Sequence, residues 1–223
     1  MTAGGGTRPS SGGRALANVR WIGGGSGAGK STVARRIADR HGLRLYSTDD
    51  AMHEHASRCA PGDCPRLDAF REMTMDERWV SRSPKAMLDT FHWFRGEGFE
   101  LIVEDLLRVP ASERVIAEGF RLLPGLVEPR LTVPDRAVWL LPTPDFRRSA
   151  FEARGTLWDI PRRTGDPERA LANLLERDRL FTERLRIDVE RLGLAQVAMD
   201  TSMDEDLLTA RVEARFGFAR PSL

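Results

Sequence analysis

The run Gly24-Gly25-Ser26-Gly27-Ala28-Gly29-Lys30-Ser31 constrains this chain more than any other segment. So glycine-rich a stretch holds neither a strand nor a helix by itself, because glycine loses the most backbone freedom on ordering. Before it stands Val19-Arg20-Trp21-Ile22, which reads as a strand. After it, Ser31 to Arg40 reads as a helix with Val33, Ala34, Ile37 and Ala38 on one face. Strand, glycine turn and helix follow one another with the spacing G-x-x-x-x-G-K-[ST]. Glycines let backbone N–H groups turn inward, and the helix N-terminus adds partial positive charge. Gly25, Ser26, Gly27, Ala28, Gly29, Lys30, Ser31 and Thr32 are therefore the expected cradle for the phosphates of a nucleotide.

Lys30 also stands out by composition. Of the 34 basic residues only Lys30 and Lys85 are lysine; the rest are arginine. A GC-rich genome produces such a bias wherever either cation serves. At Lys30 the cations are not equivalent: a compact ammonium fits a crowded phosphate loop, and a planar guanidinium fits poorly. Lys30 is expected at the β- and γ-phosphates of ATP, and the Ser31 hydroxyl on Mg²⁺, with Thr32 a weaker alternative.

Further apolar runs at 43–46, 114–117, 137–141 and 196–199 alternate with helical patterns at 84–95, 100–108, 145–154, 167–192 and 205–216. A short helix or loop is expected over 122–129. Five short strands separated by helices imply an α/β fold: three layers, α/β/α, around a five-stranded parallel sheet. Ligands of such sheets bind at the carboxyl ends of the strands. Residues 17–223 read as one domain, preceded by a disordered Gly/Ser-rich leader over 1–16.

The loop and the order of elements resemble the P-loop NTPases, and among them the small-molecule kinases: shikimate, gluconate and nucleoside kinases and chloramphenicol phosphotransferase. The resemblance spans roughly Val19 to Phe216, with only the phosphate loop a highly specific match. It implies transfer of the γ-phosphoryl group of ATP–Mg²⁺ to a hydroxyl of a small molecule. A nucleoside or nucleotide kinase, or an ATP-binding regulator without an acceptor, are the rival expectations.

The same resemblance assigns roles after the other strands. Asp49 and Asp50 follow the second strand. The family carries an acidic residue there that faces the acceptor hydroxyl as base or metal anchor, which favours Asp49, with Asp50 as a helix cap. Glu118-Gly119 follows the third strand and offers a rival base or a metal ligand. Asp200-Thr201-Ser202 follows the fifth and is expected near the adenine. A lid is implied over 154–168, with Arg154 and Arg163 at clamping positions among Arg147, Arg148 and Arg162, and Arg177 on the long helix pointing back. Residues 51–99 are the expected acceptor-binding insertion, rich in Met, His and aromatic residues.

His53, His55, Cys59 and Cys64 form a tetrahedral zinc donor set by type, although H-x-H-x₃-C-x₄-C is no standard finger; the default is a surface loop, with zinc or a Cys59–Cys64 disulfide as alternatives. The balance of 34 basic against 33 acidic residues argues against an extended nucleic-acid groove or an anionic membrane surface. No run reaches the roughly 20 apolar residues of a membrane span. The N-terminal stretch lacks a signal-peptide apolar core, and a cytoplasmic location is expected. Oligomeric state is open.

Overall fold

The computed structural model describes residues 16–60 and 62–218. Five strands, β1 (Val19–Gly24), β2 (Arg44–Ser47), β3 (Val115–Glu118), β4 (Ala137–Pro142) and β5 (Ala195–Met199), form one sheet in the order β2-β3-β1-β4-β5. Every pairing is parallel. Helices cover both faces, giving the α/β/α layers that the sequence implies.

Alternation along the strands sorts their side chains between two cores. Trp21, Val115, Ala117 and Trp139 point to one face and pack with α6 (Phe99–Leu107) and α9 (Pro167–Arg191). Ile22, Ile116, Val138 and Leu140 point to the other and pack with α1 (Lys30–His41) and α10 (Glu205–Arg215). The apolar face of α1 is the expected one, Val33, Ala34, Ile37 and Ala38. The helix stops at Gly42, whose φ of 60° supplies a left-handed cap.

Between β2 and β3 run α2 (Met52–Arg58), α3 (Pro65–Glu72), α4 (Met75–Trp79) and α5 (Pro84–Thr90) ahead of α6. The helix expected over 84–95 breaks at Phe91, which is extended, and resumes as a 3₁₀ turn over His92–Arg95. Phe91, His92, Trp93 and Phe94 are four consecutive large side chains. One helix stripe cannot bury all four, and the break sends Phe94 onto Phe181 of α9 and Trp93 towards Leu67.

A short α7 (Pro124–Val127) follows β3, and α8 (Pro144–Ala153) follows β4. Pro142 is the last residue of β4, one position beyond the apolar run 137–141. Leu16, placed by the sequence at the end of the leader expected over 1–16, is buried in the α6–α9 core; residues 1–15 lie outside the described ones. No helix among the described residues is long and apolar enough to cross a membrane.

Candidate functional site

β3 lies between β1 and β2, so its last residue, Glu118, stands in register with Ile22 on one side and Ser47 on the other. Strand alternation turns Glu118 to the same face as Ile116, where α1 packs. There its Oε1 accepts from Ser31 Oγ at 3.0 Å. Glu118 is 1% exposed, and its Oε2 is buried without a partner. Burial raises its pKa; the neighbouring Asp49 charge adds to this, and Lys30 opposes it.

The glycine loop closes over this edge. Lys30 is 6% exposed and its Nζ donates to Gly25 O at 2.8 Å. Burial lowers its pKa, while Asp49 and Glu118 pull the other way. Gly25 approaches α9 so closely that a Cβ there would stand 2.6 Å from Thr182 Oγ1. Arg147, buried on α8, braces the loop by donating through Nε to Ser26 O at 3.1 Å and through Nη2 to Thr182 Oγ1. Thr32 is half-buried.

Asp49 follows β2 and accepts from Thr48 Oγ1 at 3.3 Å. Its pKa is raised by burial, with Lys30 opposing. Thr48 is wedged against Gly119, where a Cβ would fall 1.7 Å from Thr48 Oγ1. Asp50 is exposed and does not cap the next helix: its N–H donates to Ser47 Oγ, and Ala51 at the N-cap offers no side-chain bond.

Three adjoining cavities open along the loop. The first, about 300 Å³, is lined by Ser26, Lys30, Asp49, Arg154, Arg177 and Asp178 among others. The second, about 560 Å³, runs between Gly27, Phe146, Ala150, Thr201, Met203 and Leu208, so the segment after β5 does face the loop. Ser202 instead turns back on Asp200, to which its N–H and hydroxyl both donate. The third, about 290 Å³, has aromatic walls from the 51–99 insertion and shares Ser26, Ile160 and Arg177 with the first.

The arginines separate clearly. Arg154, at the end of α8, lines the first two cavities. Arg163 is exposed and lines none of the three, and Arg162 is turned onto Trp158 O. The structure does not bring Arg163 to the loop: the 3₁₀ turn over Pro161–Arg163 buries Pro161 and leaves both arginines exposed. Asp178, which carried no signal in sequence, is buried beside Arg177.

No group of three or more His, Cys, Asp or Glu side chains suited to a metal occurs among the described residues. The proposed zinc set is not assembled. His55 is fully buried between Asp105, at 2.7 Å from Nε2, and Arg121, at 2.9 Å from Nδ1. Cys59 and Cys64 are free thiols in a small core with Leu67 and Trp93, not a surface loop and not a disulfide. Magnesium is a different case. It keeps several waters and takes one or two carboxylates together with phosphate oxygens. Ser31 Oγ and the unpartnered Glu118 Oε2, with Asp49 nearby, fit that requirement.

No family model and no curated protein matches the chain. Among solved structures it is similar to an uncharacterized protein from Eubacterium ventriosum. Sequence identity is 16%, the match covers 89% of this chain and 97% of that one, and the TM-score is 0.47.

Proposed function

We propose that this chain is a cytoplasmic phosphotransferase that moves the γ-phosphoryl group of ATP to a hydroxyl of a small molecule. One observation carries the reading: Lys30, Ser31, Asp49 and Glu118 meet at the carboxyl edge of the sheet, under a glycine loop that an aromatic cavity adjoins.

In this reading the inward N–H groups of the loop and the N-terminus of α1 hold the phosphates. Lys30 Nζ exchanges Gly25 O for a phosphate oxygen. Ser31 Oγ and Glu118 would hold magnesium, whose charge offsets that of the phosphates when it is bound. Burial makes Asp49 a better base than an exposed carboxylate, and it takes the proton of the acceptor hydroxyl. The hydroxyl oxygen bonds to the γ-phosphorus, and the bond from that phosphorus to the ADP oxygen breaks. Arg154 neutralises charge on the transferring group.

The test is ATP turnover by the purified protein with magnesium against nucleosides, sugars, hydroxy acids and aryl alcohols. An acceptor that stimulates turnover, lost in Lys30→Ala with the fold retained, supports the reading. Slow hydrolysis that no acceptor changes makes the chain a nucleotide-binding regulator instead. Unaltered ATP binding and turnover in Lys30→Ala overturns the phosphate-loop assignment.

A further inference from the structure

Two residues that line the cavity of about 290 Å³ beside the loop, Arg177 and His92, each carry a buried polar atom that nothing above uses. Arg177 is 7% exposed. Its Nε and Nη2 both donate to Asp178 Oδ1, at 2.9 and 2.6 Å, which leaves Nη1 buried without an acceptor. The rings of Trp79, Phe91 and Phe94 surround this guanidinium, with centroids 5.1–5.3 Å away. His92 is 3% exposed on the same wall, and its Nδ1 also lacks a partner. Burial holds the His92 pKa down to about 3, so the ring is neutral at physiological pH.

Folded proteins leave few buried polar side-chain atoms unpaired, and two on residues that line one cavity point to a ligand that pairs them. Aromatic faces favour a flat ring, which stacks or meets them edge-on. The charge of Arg177 is already offset by Asp178, so what Nη1 requires of the ligand is a hydrogen-bond acceptor and not a counter-charge. Because Arg177 and Ser26 line this cavity and the phosphate cavity alike, a ring held here sits next to the transfer site.

We propose that this cavity selects a ring-bearing alcohol whose ring carries an uncharged oxygen function, received by Arg177 Nη1 and His92 Nδ1. That this alcohol is the phosphoryl acceptor rests on the transferase reading; the cavity's preference for it does not.

Binding without nucleotide tests it, by calorimetry and by the fluorescence of Trp79 and Trp93, which line the cavity. The probes are para-hydroxymethylbenzamide, benzyl alcohol, which lacks the oxygen function, and the cyclohexane analogue of the first, which lacks the flat ring. The benzamide should bind at least about tenfold more tightly than either of the others. Arg177→Lys keeps a cation for Asp178 but loses the fork, and should weaken the benzamide about tenfold or more. His92→Phe should weaken it similarly while its thermal midpoint stays at or above that of the wild type, since it removes an unpaired buried atom. Equal affinity for the three probes, no binding of any, or variants that bind as the wild type does would each overturn the inference. Probe selectivity that persists in a chain unable to bind ATP would keep the cavity assignment and remove the transferase reading. ATP binding without probe binding would do the reverse.

Discussion

Ser31 Oγ donates to Glu118 Oε1 across 87 positions of sequence, joining the first turn of α1 to the last residue of β3. The other carboxylate oxygen of Glu118 stays buried and unpaired. An arrangement of this kind costs the free protein stability and suits a cation that arrives with its ligand.

Glu118→Gln should therefore raise the thermal midpoint or leave it unchanged, while lowering acceptor-dependent turnover by about 100-fold. Thermal denaturation and ATP turnover on the same preparation check it. A destabilised variant with normal turnover would make Glu118 a structural residue.

Asp49 gives a pH signature. Its folded-state pKa is raised by burial, so the native state holds the proton more tightly than the unfolded chain does. Its contribution to stability is full below the ordinary carboxylate range and is lost as pH rises through the raised value. The midpoint of Asp49→Asn relative to wild type should accordingly climb as pH rises from the ordinary carboxylate range through the raised value. Turnover of the wild type should fall as pH drops through the same raised value, because the base becomes protonated. A midpoint difference independent of pH would show that Asp49 does not carry this buried charge.

Lys30→Arg tests the geometry of the loop. The ammonium lies inside the loop against Gly25 O, and Lys30 is only 6% exposed. A guanidinium is wider and flat, and turnover should drop by about 100-fold or more with circular dichroism unchanged. Half-normal turnover in this variant would remove the argument that an ammonium is required.

Gly119→Ala should damage the fold itself. Gly119 has φ of 147°, and a Cβ would overlap Thr48 Oγ1. Backbone strain and the displaced Thr48 together should cost about 2–4 kcal/mol in urea denaturation. Thr48→Ala in the same chain should recover part of that loss by removing the overlapping hydroxyl.

Cys59 and Cys64 should carry less than about a tenth of an equivalent of zinc in the purified protein. Both thiols are buried, and burial pushes the Cys64 pKa up, so native labelling by a thiol reagent should be slow and become fast on denaturation. Rapid native labelling would place these thiols at the surface.

Local sequence determined the elements and the loop. The glycine loop, the start of α1 and its buried face depend on neighbours within a few residues, and strand and helix limits fell within a few positions of the periodic pattern. One exception, the break at Phe91, arises where four large side chains must reach different cores; the helices α2 to α4 are another, since no periodic pattern marked them. The arginines show what local sequence leaves open. Arg147, Arg154, Arg163 and Arg177 are chemically alike in sequence, yet one braces the loop, one lines the cavity beside the loop, one faces solvent and one is enclosed by aromatic rings. Likewise the sequence offered Asp49 and Glu118 as separate carboxylates after separate strands. Only the strand order, with β3 between β1 and β2, turns Glu118 onto α1 and brings both carboxylates near Lys30. Backbone propensity acts over a turn of helix or a strand, whereas contacts 87 positions apart exist only after the sheet has ordered its strands and the helices have packed on it.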